Sequence, residues 1–189
     1  MSRKYDHVMV DLETLGTRPG CVVLSVGAVF FDPALQELGP ELHIKINRRA
    51  SLIAGLRADP ATLEWWSRQS PEAQQLLEET ADPGTSVTIE EALGSLSQWF
   101  AEHGPGPSDL KVWGNGSDFD QPILVAVYAA LGVEQPWRFW NNRCYRTLKA
   151  QCPEVKIVRG GTYHSALDDA RSQVEHLFAV ASKLAWSLR

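Results

Sequence analysis

The sequence predicts an α/β fold: one mixed five-stranded sheet, three antiparallel strands followed by parallel ones, with helices on both faces. Three observations predict it. Three strand-like segments come first, joined by connections short enough for antiparallel pairing. Strand-like and helical segments then alternate, the pattern of a sheet covered on both sides. The C-terminal segment carries apolar residues at 167, 170, 174, 177, 181, 184 and 188, a three-four spacing that docks a helix on a core.

The elements follow in order. Residues Tyr5 to Glu13 alternate and are rich in β-branched side chains, and Cys21 to Phe31 is nearly continuously apolar until Asp32-Pro33 stops it. Glu41 to Ile46 alternates again. Asp59-Pro60 and Ser70-Pro71 each pair an N-cap with a proline at the first helical position, predicting two short helices. A third helix over Thr88 to Glu102 is ended by the Gly-Pro-Gly-Pro break at 104–107. Leu110 to Trp113 reads as a short strand. Ser117 is then expected to cap a helix whose residues Phe119, Ile123, Val127 and Ala130 share one face, ending at Gly132. Trp137 to Trp140 is the expected fifth strand, a helix follows around Arg143 to Ala150, and the last helix runs from about Ser165 to Leu188.

A length of 189 residues predicts a single domain over the whole chain. With 44% hydrophobic and 22% charged residues the composition is that of an ordinary globular protein. A net charge of -5 excludes coating of nucleic acid by bulk electrostatics, though not contact at a local basic lip. Cys21, Cys144 and Cys152 lack Cys-x-x-Cys spacing and read as small core residues in a reducing compartment. The charged N-terminus gives no signal-peptide pattern, and the apolar run to Phe31 is too short to span a bilayer. A cytoplasmic protein with no membrane partner is expected.

Asp11 and Glu13 are two apart on a strand, so both side chains leave one face while Val8, Val10 and Leu12 supply the other. Neighbouring carboxylates repel unless a cation neutralises them, and hard oxygen ligands suit Mg²⁺ or Mn²⁺. Alone, such a pair also fits a solvated strand edge. The segment Trp113 to Asp120 makes a strand, a glycine turn around Asn115 and a helix start. There, helix capping by Ser117, Asp118 or Asp120 is an alternative to ligation, and spacing does not choose between the two aspartates. His164 precedes the last helix and is followed by Asp168 and Asp169. At 100° per residue, Asp169 lies nearer the apolar stripe and is expected to face the site, with Asp168 toward solvent. All these groups fall at strand ends or helix starts, the positions that converge at the rim of an open α/β sheet.

The set Asp11-x-Glu13, Asn115 to Phe119-Asp120 and His164-x-x-x-x-Asp169 resembles the three motifs of the DEDDh branch of DnaQ-like 3′-5′ exonucleases, on a ribonuclease H-like fold. Two further stretches, Thr62 to Ala73 and Phe139 to Thr147, resemble the exonuclease VIII-like subgroup, which includes phage DexA-type exonucleases and bacterial exoribonucleases. The resemblance runs from about residue 5 to about 180 and selects Asp120 over Asp118, and Asp169 again. It implies metal-dependent removal of 5′-mononucleotides from the 3′ end of DNA, RNA or both, with single strands or 3′ ends as partners. Two divalent ions, roughly 3.5–4 Å apart, would be held by Asp11, Glu13, Asp120 and Asp169. His164 would take the proton from the attacking water. RNA-only trimming and oligoribonuclease-type activity are the neighbouring specificities. A silent nucleic-acid-binding module is the alternative outside catalysis; its usual mark is a lost carboxylate, and none is lost here.

Leu15, Gly16, Asn115 and Phe119 are expected near the terminal nucleotide. Trp65 and Trp66, about 100° apart on a helix, could divide between core packing and base stacking. Arg138, Arg143, Arg146, Lys149, Lys156 and Arg159 stand against Glu154 alone, which suggests a phosphate-tracking lip with Arg143 and Arg146 as contacts. A solvated helix face is the competing explanation. Relatives in this group often form homodimers, an arrangement the sequence leaves open.

Overall fold

The computed structural model describes residues 4–161 and 164–187. Five strands form one sheet in the order β3-β2-β1-β4-β5: β1 is His7–Thr14, β2 Val23–Asp32, β3 Glu37–Lys45, β4 Lys111–Gly114 and β5 Asn142–Cys144. The first three are antiparallel, and β4 and β5 run parallel to β1. Seven helices complete the described residues: α1 (Arg48–Ile53), α2 (Pro60–Trp66), α3 (Pro71–Glu79), α4 (Ile89–His103), α5 (Asp120–Ala130), α6 (Tyr145–Lys149) and α7 (Ala166–Lys183).

Two apolar layers flank the sheet. Val8, Val10 and Leu12 of β1 pack with Leu93, Leu96 and Phe100 of α4 and Ile123 and Val127 of α5. Met9, Val29, Phe31 and Trp113 meet Val174, Leu177 and Phe178 of α7 and Leu148 of α6. Strand β1, covered on both faces, is therefore the centre of the molecule.

Asp59 and Ser70 cap α2 and α3 as the sequence predicts, and Thr88 caps α4 in a full capping box with Glu91. Four expectations are corrected. Helix α5 starts at Asp120 rather than behind Ser117, and no side chain caps it: residues 115–119 are spent on the turn that aims Asp120. The fifth strand lies at Asn142–Cys144, not Trp137–Trp140. Trp137 is drawn into the first core layer, its Nε1 donating to Asn142 Oδ1 at 2.9 Å, and a 3₁₀ turn over Phe139–Asn141 follows. That displacement moves the start of α6 to Tyr145. Helix α7 stops at Lys183, where Leu184 caps it and Ala185 takes a left-handed φ of 51°; Leu188 lies outside the described residues. The short α1, capped by Asn47, carries no apolar periodicity that would announce it. No helix among the described residues is long and apolar enough to cross a membrane.

Candidate active site

Asp11 and Glu13 project from β1 on the Met9 side, toward α7. Asp11 pairs across the sheet with Gly27 of β2. A Cβ at Gly27 would stand 2.1 Å from the carbonyl carbon of Ala166 and 2.2 Å from the nitrogen of Leu167. The first turn of α7 thus lies directly on β2, an approach only glycine permits. It brings Asp169 over the end of β1, and Asp11, Glu13 and Asp169 offer oxygen atoms within 4.8 Å of one another. The register of β1 on β2 shifts directly after Glu13, where Leu24 of β2 is passed over. One helical turn beyond Asp169, Gln173 donates its Nε2 to Asp11 Oδ1 at 2.6 Å.

Asp120, 1% exposed, opens α5 on the far side of Asp11. Its Oδ2 accepts the backbone N–H of Asn115 at 2.6 Å. Gly114 makes room: a Cβ there would come within 2.8 Å of Asp120 Oδ2. Asp120 lies outside the trio but acts electrostatically on Asp11 and Glu13. Asp118, by contrast, is exposed. Asp168 is less exposed than expected: its side chain is 21% accessible against 16% for Asp169, because it pairs with Arg171 at 3.1 Å.

Crowding leaves its mark on the protons. Burial, then Asp169 and Asp120, push the Glu13 carboxyl up to about 8 against the pull of Arg159. Burial raises Asp120 to about 7, opposed by the N–H groups that point at it. Asp11 is held well above the carboxylate range by burial, Asp120 and Glu13, and burial also raises Asp169. A cation in their midst would favour the charged form of all four.

His164 adopts a left-handed φ of 60°, a conformation that is costly for a residue with a Cβ and is typical of functional sites. Its ring stands edge-on to Trp65 at 5.1 Å and near Trp66 at 5.8 Å. Burial lowers its pKa below the ordinary histidine value, opposed by Asp169, which favours the neutral ring.

A cavity of about 460 Å³ opens beside Glu13, lined among others by Gly16, Thr62, Trp65, Trp66 and Phe119. The two tryptophans divide the work. Trp66, 1% exposed, belongs to the core, with its Nε1 donating to Thr14 O at 2.9 Å, whereas Trp65 is 44% exposed at the cavity's edge. The Leu15 side chain is buried in the first core layer, while Gly16 lines the cavity. Asn115 lies on the Asp120 side of the site, where its N–H goes to Asp120 and its Oδ1 accepts from Lys149 at 3.3 Å.

The expected basic lip disperses. Arg138 pairs with Glu134, and Arg143 donates to the carbonyls of Trp140 and Asn142 beside Trp113 and Trp186, away from the carboxylates. The register puts Arg143 opposite Trp113, which in turn pairs with Met9, and its bonds to carbonyls hold the guanidinium beside Trp186. Arg146 packs over Gly116 and acts on Asp120. Arg159, though exposed, reaches the carboxylates themselves, its Nη1 on Asp169 Oδ1 at 2.6 Å. Two members of the site were overlooked at the level of sequence. Gln173 could have been found, four residues after Asp169 on the same helical face. The special role of Arg159 within its basic stretch had no local signal.

The architecture is that of ribonuclease H-like DEDDh exonucleases. The nuclease domain of 3′hExo, a DEDDh family member solved bound to rAMP, superposes with a TM-score of 0.65 at 11% identity, over 98% of this chain and 96% of that one. Exonuclease X in complex with 5′-overhanging duplex DNA gives 0.54 at 15% identity, over 96% and 94%. In sequence, an exodeoxyribonuclease of Enterobacteria phage T4 is 29% identical over 158 residues, 74% of this chain and 68% of the phage protein. Residues 6–181 match the family described as the 3′-5′ exoribonuclease Rv2179c-like domain, and the chain belongs to that family. It is a hydrolase, a 3′-5′ exonuclease of the DEDDh type acting on nucleic acids, and DEDDh exonucleases use divalent metals.

Proposed function

We propose that the chain removes 5′-mononucleotides one at a time from the 3′ ends of single-stranded RNA and DNA, with two Mg²⁺ or Mn²⁺ ions. The observation that carries this reading is the trio Asp11, Glu13 and Asp169, with oxygens within 4.8 Å of one another and carboxyl groups whose proton affinity is raised by burial and mutual repulsion. Hard oxygen donors that repel until neutralised fit Mg²⁺ or Mn²⁺. Asp11, Glu13 and Asp169 would hold one ion, and Asp11 and Asp120 the other. Bound ions would polarise the phosphodiester and offset charge that builds on its oxygens.

The side chains do the rest. Neutral His164 accepts a proton from water, whose oxygen bonds to phosphorus as the P–O3′ bond breaks; the departing 3′-oxygen takes its proton from solvent. The cavity beside Glu13 receives the terminal nucleotide, with Trp65 on its base and Phe119 and Gly16 against the sugar. Both polymers are included because the family description names RNA while the phage relative is a deoxyribonuclease. The enzyme would work in the cytoplasm as a single domain, where its three free thiols stay reduced.

The test is a panel of 5′-labelled single-stranded RNA, single-stranded DNA and 3′-overhanging duplexes with Mg²⁺, Mn²⁺ or EDTA. Ladders shortening from the 3′ end and abolished by EDTA are expected. Inactivity on every substrate with both metals would overturn the reading.

A further inference from the structure

Arg159 is built into the carboxylate cluster. The segment that carries it is strapped to α7 on both sides. Behind it, His176 Nε2 donates to Val155 O at 2.8 Å, and the Tyr145 hydroxyl holds the other ring nitrogen at 2.6 Å. Ahead of it, the N–H of Gly160 donates to Ser172 Oγ at 3.2 Å, and that hydroxyl donates to Asp168 O at 2.8 Å. Gly161, with a φ of 75°, passes so close to Asp168 that a Cβ would stand 2.4 Å from its carboxyl carbon. These anchors deliver the guanidinium to Asp169 at 2.6 Å, where its charge also reaches Glu13 and His164.

Asp169 Oδ1 does not fully serve a guanidinium and a divalent cation together. The planar fork that matches a carboxylate also matches a phosphate. Charge points the same way. Four ionised carboxylates balance two divalent cations and leave the phosphodiester's own negative charge without a counterpart. Negative charge on the phosphate oxygens is also what a hydrolase must stabilise as the bond breaks.

We propose that Arg159 has two stations: it caps Asp169 in the metal-free protein and, once a divalent cation claims that carboxylate, it binds the scissile phosphate. The inference rests on the two-metal nuclease reading above and deepens it. The test uses the full chain with Arg159→Ala and Arg159→Lys. Calorimetric Mn²⁺ titration without nucleic acid should show tighter binding in Arg159→Ala than in the wild type, since the competitor for Asp169 is gone. With saturating Mn²⁺ the same variant should lose about 10²-fold in kcat, the scale of deleting one donor to a developing oxyanion. Arg159→Lys should recover part of that loss. A purely structural strap would predict a lower Tm with no gain in Mn²⁺ affinity. Unchanged kcat at saturating Mn²⁺, or weakened Mn²⁺ binding, overturns the proposal. If the wild type hydrolyses nothing, the nuclease reading itself fails, and unchanged Mn²⁺ binding in Arg159→Ala would then overturn the capping station as well.

Discussion

The two faces of β1 come from alternate residues of one eight-residue strand yet live in different media. On one, Val8, Val10 and Leu12 meet α4 and α5 in an unbroken apolar layer. On the other, Met9 is as dry, but the next two inward positions are Asp11 and Glu13. The change comes where the apolar contact of α7 runs out: Val174 and Leu177 cover Met9, while the first turn of the helix offers Asp169 in place of a hydrocarbon. A sheet that is insulated behind and polar in front concentrates repulsion among its carboxylates, because little solvent lies behind them to screen it.

This contrast can be broken from either face. The largest effect is expected at the polar one: Asp11→Asn or Asp169→Asn should lower kcat by at least ~10³-fold, while the Tm in EDTA holds or rises as repulsion is relieved. Wild-type turnover in either variant would remove that carboxylate from the site. The adjacent tryptophans repeat the contrast on one helix. Trp66→Ala should destabilise the fold by about 3–5 kcal/mol in denaturant unfolding. Trp65→Ala should leave that midpoint in place and weaken substrate binding, read as KM, by ~1–3 kcal/mol. Equal losses of stability from the two would mean that both are core residues.

The smallest expected effect is in pH. Glu13 and Asp120 have folded-state pKa values raised to about 8 and about 7, above those of unfolded carboxyls. Their contribution to stability is complete below the unfolded values, near ~4, and is lost as pH rises to and through 7–8. Without metal, the Tm should therefore decline from pH 5 to pH 9, and saturating Mg²⁺ should flatten the decline. A profile that is level in EDTA would mean that the carboxylates are not crowded.

How much of this was written locally differs from one part to the next. Strands β1 to β3, helices α2 to α4 and the order of the acidic motifs were legible because they rest on periodicity and on capping residues, which act over a few positions. The preference for Asp169 over Asp168 came from helical angle and from the family pattern. Where a residue answered to a distant partner, local reasoning misplaced it. Trp137 and Arg138 looked like a strand because the buried contacts of Trp137 with Phe100 and Tyr128 are made far along the chain. Arg143 and Arg146 were the expected contacts of a basic stretch in which Arg159 was one more cation, yet the fold sets Arg159 on Asp169 and Arg143 beside Trp113 and Trp186. Leu15 and Gly16 are neighbours in sequence, yet one faces the core and the other the cavity.

Gly27 binds nothing, and yet it sets the gauge of the whole centre. The separation between the acids of β1 and the acid of α7 is fixed by how closely a helix can seat on a strand bearing no ligand, and the shim thickness there is one missing methyl group. Activity can consequently be mistuned from within the hydrophobic layer, by a change that leaves every acidic side chain in the protein intact.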